Sequence, residues 1–246
     1  MSPSEVVREA HRVGLTAIAL TDHDTLAGLS EARAAAGTLG LTVLTGCEFS
    51  VAADWGELHL LGYQLAEDDE AIGRFLVRMR LAREDRGREI VARVVRCGIA
   101  LDFEQVKAIA GTAPIGRPHV ARALTAARVT RTFDEAFDRF LGRGRPAYVA
   151  KDLPPLAKAT AMIRTAGGVS VVAHPKDRAR KSVLEGLRDQ GVDGVEVRHP
   201  SHSAPVQREL ERLANEVGML PTGGSDSHGE KSVSSSHREI GGVRIP

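Results

Sequence analysis

The sequence predicts an α/β fold in which βα units build a parallel sheet and an all-helical segment interrupts it. Three observations carry this. Short apolar runs of strand length alternate with helical segments in both the first 66 residues and the last hundred. Between them, from about Asp68 to Leu141, the period is helical throughout and dense in Arg. Six ligand-type residues, His23, Glu48, His59, His174, Asp226 and His228, lie in or just after the apolar runs. In parallel α/β barrels the carboxyl ends of the strands converge on one face, where the chemistry sits.

The elements follow in order. Ser2-Pro3-Ser4-Glu5 opens a helix that runs to about Val13, since Ser as cap and Pro in the first turn are start signals. Residues 15–21 (LTAIALT) form the first buried strand, short and bounded by Gly and Asp. Residues 26–39 are Ala-rich and helical, and 41–45 and 57–65 are the next two strands. Gly98, Gly111 and Gly116 punctuate the helical insertion. Three further strands, 168–173, 192–198 and 218–222, alternate with helices near 153–166, 179–190 and 203–217. The divisions are therefore 1–66, 67–146 (the insertion, expected as a cap) and 147–246. The Ser-rich piece 232–236 and His237 belong to a terminal surface loop, and His11 to a surface helix. The count is six strands, and the first helix has no strand before it; in a closed barrel that leaves two sheet edges.

Bulk properties bound the function. The chain has 246 residues, 42% hydrophobic and 26% charged, as expected of a globular protein. A net charge of +1 gives no strong field for duplex DNA or a membrane surface. The two cysteines, Cys47 and Cys97, are far apart with no CxxC, which fits a reducing cytoplasm and argues against a disulfide scaffold. No signal peptide and no apolar run of about eighteen residues is present.

A lone His in a strand is more often a satisfied core residue than a ligand, Asp226 could cap a helix, and Glu48 could be a surface carboxylate. Their joint placement is what points to a metal. Four His and two carboxylates suit Zn, Mn or Fe. Pro175 ends the strand after His174, and Asp226 and His228 can reach one centre if their turn stays extended.

TDHDT (21–25), GCE (46–48), HLLGY (59–63), AHP (173–175), GVEVRHPSH (194–202) and GGSDSH (223–228) resemble the PHP family, named for polymerase and histidinol phosphatase. Within it the chain is similar to the bacterial branch of nucleoside 3′,5′-bisphosphate phosphatases and 5′→3′ exoribonucleases, including the insertion's GRPHVA (116–121) and GRGRPAYV (142–149). The resemblance implies a distorted seven-stranded (β/α)7 PHP barrel with three metals. It implies that Glu48 bridges two metals, that His59 and His174 complete one site, that Asp226 serves the second, and that His23 and His228 serve the third. The family's opening strand, with an HxH motif and an SDG turn, has no counterpart here, so the barrel lacks its first strand and fewer metals are held. Either the sequence starts at an internal Met, or the protein is truncated and inactive. The first is the expectation, because every other ligand is kept.

The activity implied is phosphoester hydrolysis by metal-activated hydroxide on a nucleotide or short RNA end. Arg117 and His119 are the candidates for phosphate contact, with His119 as general acid. His199 and His202, at another strand end, are expected to line the pocket, His202 with a catalytic role. Cys47 is expected to be a small buried residue, the Arg stretch 78–96 a solvated helix face, and Trp55 and Tyr63 possible base-stacking groups. Histidinol phosphatase fits less well. Two rivals remain: a non-catalytic nucleotide- or phosphate-binding remnant, and an amide hydrolase on a related metal barrel.

Overall fold

Six strands form one sheet in sequence order: β1 (Ala17–Leu20), β2 (Thr42–Ala53), β3 (Gly56–Tyr63), β4 (Val169–Val172), β5 (Gly194–Arg198) and β6 (Leu220–Gly223). This is a computed structural model that describes residues 1–111, 113–178, 180–228 and 239–243. The Ser-rich piece 232–236 and His237 lie outside the described residues. The helices are α1 (Pro3–Arg12), α2 (Leu29–Gly37), α3 (Glu70–Arg96), α4 (Phe103–Ala110), α5 (Arg117–Ala126), α6 (Phe133–Ala136), α7 (Leu156–Thr165), α8 (Lys181–Asp189) and α9 (Ala204–Val217), with a π-helical turn at Phe137–Leu141. No described helix is long and apolar enough to cross a membrane.

The predicted sheet needs one correction: it is mixed. β1–β2, β4–β5 and β5–β6 are parallel, but β3 is antiparallel to both β2 and β4. The cause is local. Only Asp54 and Trp55 separate β2 from β3, and two residues can close a hairpin but not a crossover. Gly56, at φ +115, supplies the conformation this turn requires. β2 is also far longer than the expected 41–45. Its first part pairs with β1 and its second, from Gly46, pairs with β3. At that change of partner a Cβ on Gly46 would stand 2.7 Å from Thr21 and 2.9 Å from the Leu20 carbonyl, so only glycine fits.

Two compact units result, Met1–Gly73 with Leu153–Pro246, and Arg74–Asp152. In the first, α1 starts on a capping box: the Glu5 N–H donates to Ser2 Oγ and the Ser2 N–H to Glu5 Oε2. α1 packs with α2 through Val7, Ala10, Ala32 and Ala36, and α7 lays the buried Ile163 against the sheet at Gly62. The second unit has its own core, with Ile90, Val94, Phe103, Leu124 and Leu141 among its members. The Arg-rich stretch is only partly the solvated face expected. Arg86 is buried and donates to the Val149 carbonyl, and Arg93 donates to the Tyr148 carbonyl.

Candidate metal centre

Backbone pairing brings His23 to Glu48. Beyond β1 the chain keeps running beside β2: the Glu48 N–H donates to the Asp22 carbonyl and the Asp24 N–H to the Glu48 carbonyl. Buried Asp24 fixes this stretch by accepting the Ser50 N–H at 3.0 Å. His59 lies opposite Ser50 on β3. Neither Glu48 nor His59 sits at the carboxyl end of its strand, as the sequence suggested. Because β3 runs backwards, its first half lies where its neighbours end, and His59 meets the other ligands from inside the strand. His174 lies two residues beyond β4 and Asp226 three beyond β6.

Glu48 is the centre of the cluster. It is 7% exposed. Its Oε1 lies 2.8 Å from His59 Nδ1 and 3.5 Å from His174 Nε2, while Oε2 lies 3.5 Å from His23 Nδ1. The two oxygens thus face different imidazoles. Donor atoms of His23, Glu48 and His59 all lie within 4.8 Å of one another. Burial alone would raise the Glu48 pKa. The His174 and His59 imidazoles and the nearby His23 outweigh it and hold the carboxyl far below its ordinary range. Burial works to lower the His59 pKa, but Glu48 on one side and Glu57 on the other raise it to about 9. Glu57 Oε1, 3.2 Å from His59 Nε2, orients the ring so that Nδ1 faces the cluster.

A second group adjoins the first. His199, 1% exposed, points Nε2 at Asp226 Oδ2 (3.5 Å) and Glu196 Oε2 (4.0 Å). Its Nδ1 accepts the Ser201 N–H. Glu196 is buried and accepts the His174 N–H at 2.8 Å. Burial, with Asp226 and Glu48 nearby, raises its pKa to about 8 against that hydrogen bond. Gly224 makes room for it, since a Cβ there would lie 2.6 Å from Glu196 Oε1. Asp24, His174, Lys176 and Asp226 all take positive φ without being glycine. Such strain is held only where surrounding contacts over-determine the backbone, and it gathers at functional sites.

Six of the nine histidines form one run of rings, His228–His23–His59–His174–His199–His202, with successive centroids 6.1, 4.9, 5.2, 5.3 and 5.3 Å apart. His228 is its exposed end, with Nδ1 3.5 Å from Asp226 Oδ1. His202 departs from the expected catalytic role. Its Nδ1 donates to the Val197 carbonyl and its Nε2 accepts the Lys176 N–H, so both nitrogens are committed to backbone. His199 is likewise buried within the cluster rather than lining an open pocket. Arg117 and His119 belong to the helical unit. Arg117 is half-buried, donates to the Leu141 carbonyl and stacks near Phe137 and Tyr148. His119 Nδ1 accepts the Gly116 N–H at the start of α5, and burial, Arg122 and Arg83 lower its pKa. His11 is exposed on α1, and Cys47 is buried with its thiol pKa pushed well up by desolvation, which makes it a poor nucleophile.

Sequence reasoning passed over Glu196 and Glu57. The one available signal was a carboxylate inside an apolar strand (VEV), which needs a partner when buried.

The donor set fits a divalent metal. His59 Nδ1 and His199 Nε2 are buried without an aligned hydrogen bond, although Glu48 Oε1 comes close to the first from out of line. Buried polar atoms are normally satisfied, so ring nitrogens turned toward carboxylates in this way are what metal ligands present.

The chain is similar to known proteins. The PHP domain pattern matches residues 1–136. A 5′-3′ exoribonuclease of Haemophilus influenzae is 30% identical over 234 residues, covering 93% of this chain and 85% of its own. A 3′,5′-nucleoside bisphosphate phosphatase of Chromobacterium violaceum is 32% identical over 236 residues, covering 93% and 82%. A solved structure described as a metal-dependent phosphoesterase, from Bifidobacterium adolescentis, superposes with TM-score 0.84 at 32% identity, covering 94% of this chain and 84% of its own.

Proposed function

The chain belongs to the PHP domain family, and from that we propose that it is a metal-dependent phosphoesterase acting on nucleotides: on the 3′-phosphate of nucleoside 3′,5′-bisphosphates, on short RNA from its 5′ end, or on both. The observation that carries the proposal is Glu48, buried, with each oxygen turned to a different set of imidazoles. His23, Glu48, His59 and His174 would hold metal, with Asp226 and His228 completing the ligand set and His199 adjoining them. Mn, Zn and Fe all suit these donors. Bound divalent metal supplies Lewis acidity and lowers the pKa of water toward neutrality.

The protein's own residues prepare that chemistry. Glu57 fixes the ring of His59, and Ser201 fixes that of His199. Glu196 holds the His174 turn through its backbone N–H. Arg117 suits phosphate contact through its planar fork. With Nδ1 accepting from Gly116, neutral His119 presents its Nε2–H, suited to donating a hydrogen bond to a phosphate oxygen; the general-acid role would require protonation of Nδ1 and loss of the Gly116 bond. A cytoplasmic setting belongs to the same proposal, on the two widely separated cysteines.

The test is phosphate release from adenosine 3′,5′-bisphosphate and nucleotide release from a 5′-phosphorylated RNA pentamer, with Mn, Zn or Fe titrated into chelated protein. Turnover that needs metal and stops with chelator is expected. Tight metal binding without turnover of either substrate would leave a phosphate-binding module. Hydrolysis of C–N substrates alone would make the protein an amide hydrolase.

A further inference from the structure

A groove of about 270 Å³ opens beside the cluster, with His59 and His174 on one wall. Its floor is apolar, made by Leu58, Val172 and Leu187. Trp55, the chain's single tryptophan and 37% exposed, stands at its edge on the two-residue hairpin turn. Lys176 and Arg178 also line it; both are exposed, and neither forms a side-chain ion pair among the described residues. The nearby acid, Glu57, is engaged with His59.

From this arrangement we propose that the groove is a subsite for a second nucleotide, so that the substrate is an oligonucleotide whose neighbouring base rests on Trp55 and the apolar floor while its phosphate meets Lys176 and Arg178. The inference rests on the phosphoesterase reading and names its substrate class. An aromatic face beside apolar surface takes any base, and unpaired cations beside it take the backbone, the combination that single-stranded nucleic acid requires. The volume lies just under the roughly 300–1,000 Å³ of drug-sized sites, so it suits one nucleoside and no more. The subsite also explains His202. By accepting the Lys176 N–H it helps to hold Lys176 at φ 55, a conformation uncommon for any residue but glycine. His202 is thus a positioning residue for the groove.

Because Trp55 is the only tryptophan, its fluorescence reports occupancy without turnover. The full chain with Mn is titrated with a pApA dinucleotide carrying a hydrolysis-resistant phosphorothioate linkage, with adenosine 3′,5′-bisphosphate, and with ribose 5-phosphate. The dinucleotide should quench Trp55 and bind about tenfold or more tighter than the bisphosphate, and K176A/R178A should remove most of that preference. In kinetics the ratio of kcat/KM for dinucleotide over bisphosphate should fall by about tenfold in W55A and recover in W55F. Equal affinity for dinucleotide and bisphosphate, or a K176A/R178A variant that weakens both alike, would overturn the subsite. Absence of all phosphoester hydrolysis would instead overturn the phosphoesterase reading, and the fluorescence preference would survive it.

Discussion

Replacing Glu48 by Gln keeps the shape of the side chain and removes its charge, so it separates folding from metal binding. The buried carboxylate meets three imidazoles at 2.8, 3.5 and 3.5 Å, and its two oxygens serve both halves of the cluster. Changing a residue that merely orients a metal ligand already costs about 10–100-fold in affinity or activity. Loss of the shared anion itself should therefore cost about 1,000-fold, or about 4 kcal/mol. The assay is thermal unfolding with and without Mn at about 100 times the wild-type Kd, paired with metal content and phosphate release. Binding at that excess stabilises wild type by about 2.7 kcal/mol, which for a chain of this size raises Tm by about 5–10 °C. With affinity down about 1,000-fold the same Mn gives E48Q less than about 1 °C. Metal-free E48Q should melt below metal-free wild type, because the buried imidazoles lose the carboxylate they face, so the metal-induced shift is read within each variant. An E48Q protein that keeps the metal-induced shift, the metal and more than about a tenth of the activity would refute the central role of Glu48.

Other outcomes follow from the same geometry. His59 and Glu196 both have raised pKa values in the folded protein, to about 9 and about 8, so the folded state holds more protons than the unfolded one above pH 4.5. Stability of the chelated protein should fall by about 5 kcal/mol as pH rises from 6 to 9, while metal affinity rises because binding displaces those protons; scanning fluorimetry across pH checks both, and a flat profile counts against them. Gly224→Ala puts a Cβ 2.6 Å from Glu196 Oε1 and should cost about 1–3 kcal/mol together with bound metal; unchanged Tm and metal content would mean Glu196 has room to move. His202→Ala strands the Val197 carbonyl and Lys176 N–H and should cost about 1–3 kcal/mol, with kcat on the bisphosphate falling less than tenfold; a hundredfold fall at unchanged stability would restore a catalytic role to His202.

What the sequence made legible, and what it hid, divides along a physical line. The six strands and the histidines beside them are readable because composition and period are local properties: LTAIALT and GVSVVA are short, apolar and bounded by breakers, although β1, expected to be buried, is only partly covered. Strand direction is not local. The run ELHLLGY is equally apolar in either sense, and only the two-residue gap at Asp54–Trp55 betrays that β3 turns back. That reversal decides chemistry as well as topology, because a β3 running with its neighbours would carry His59 away from Glu48. The acids were hardest to read for a related reason. Glu48 stood out at an apparent strand end, whereas Glu196 sat between two valines and Glu57 was only the first residue of an expected strand. Their roles come from neighbours far along the chain: Glu196 from His174, Asp226 and the bare Cα of Gly224, and Glu57 from the ring it orients. The histidine identities announce that a metal can be held here. The carboxylates that set which nitrogen each ring presents emerge only once β3 has turned and β4, β5 and β6 lie side by side.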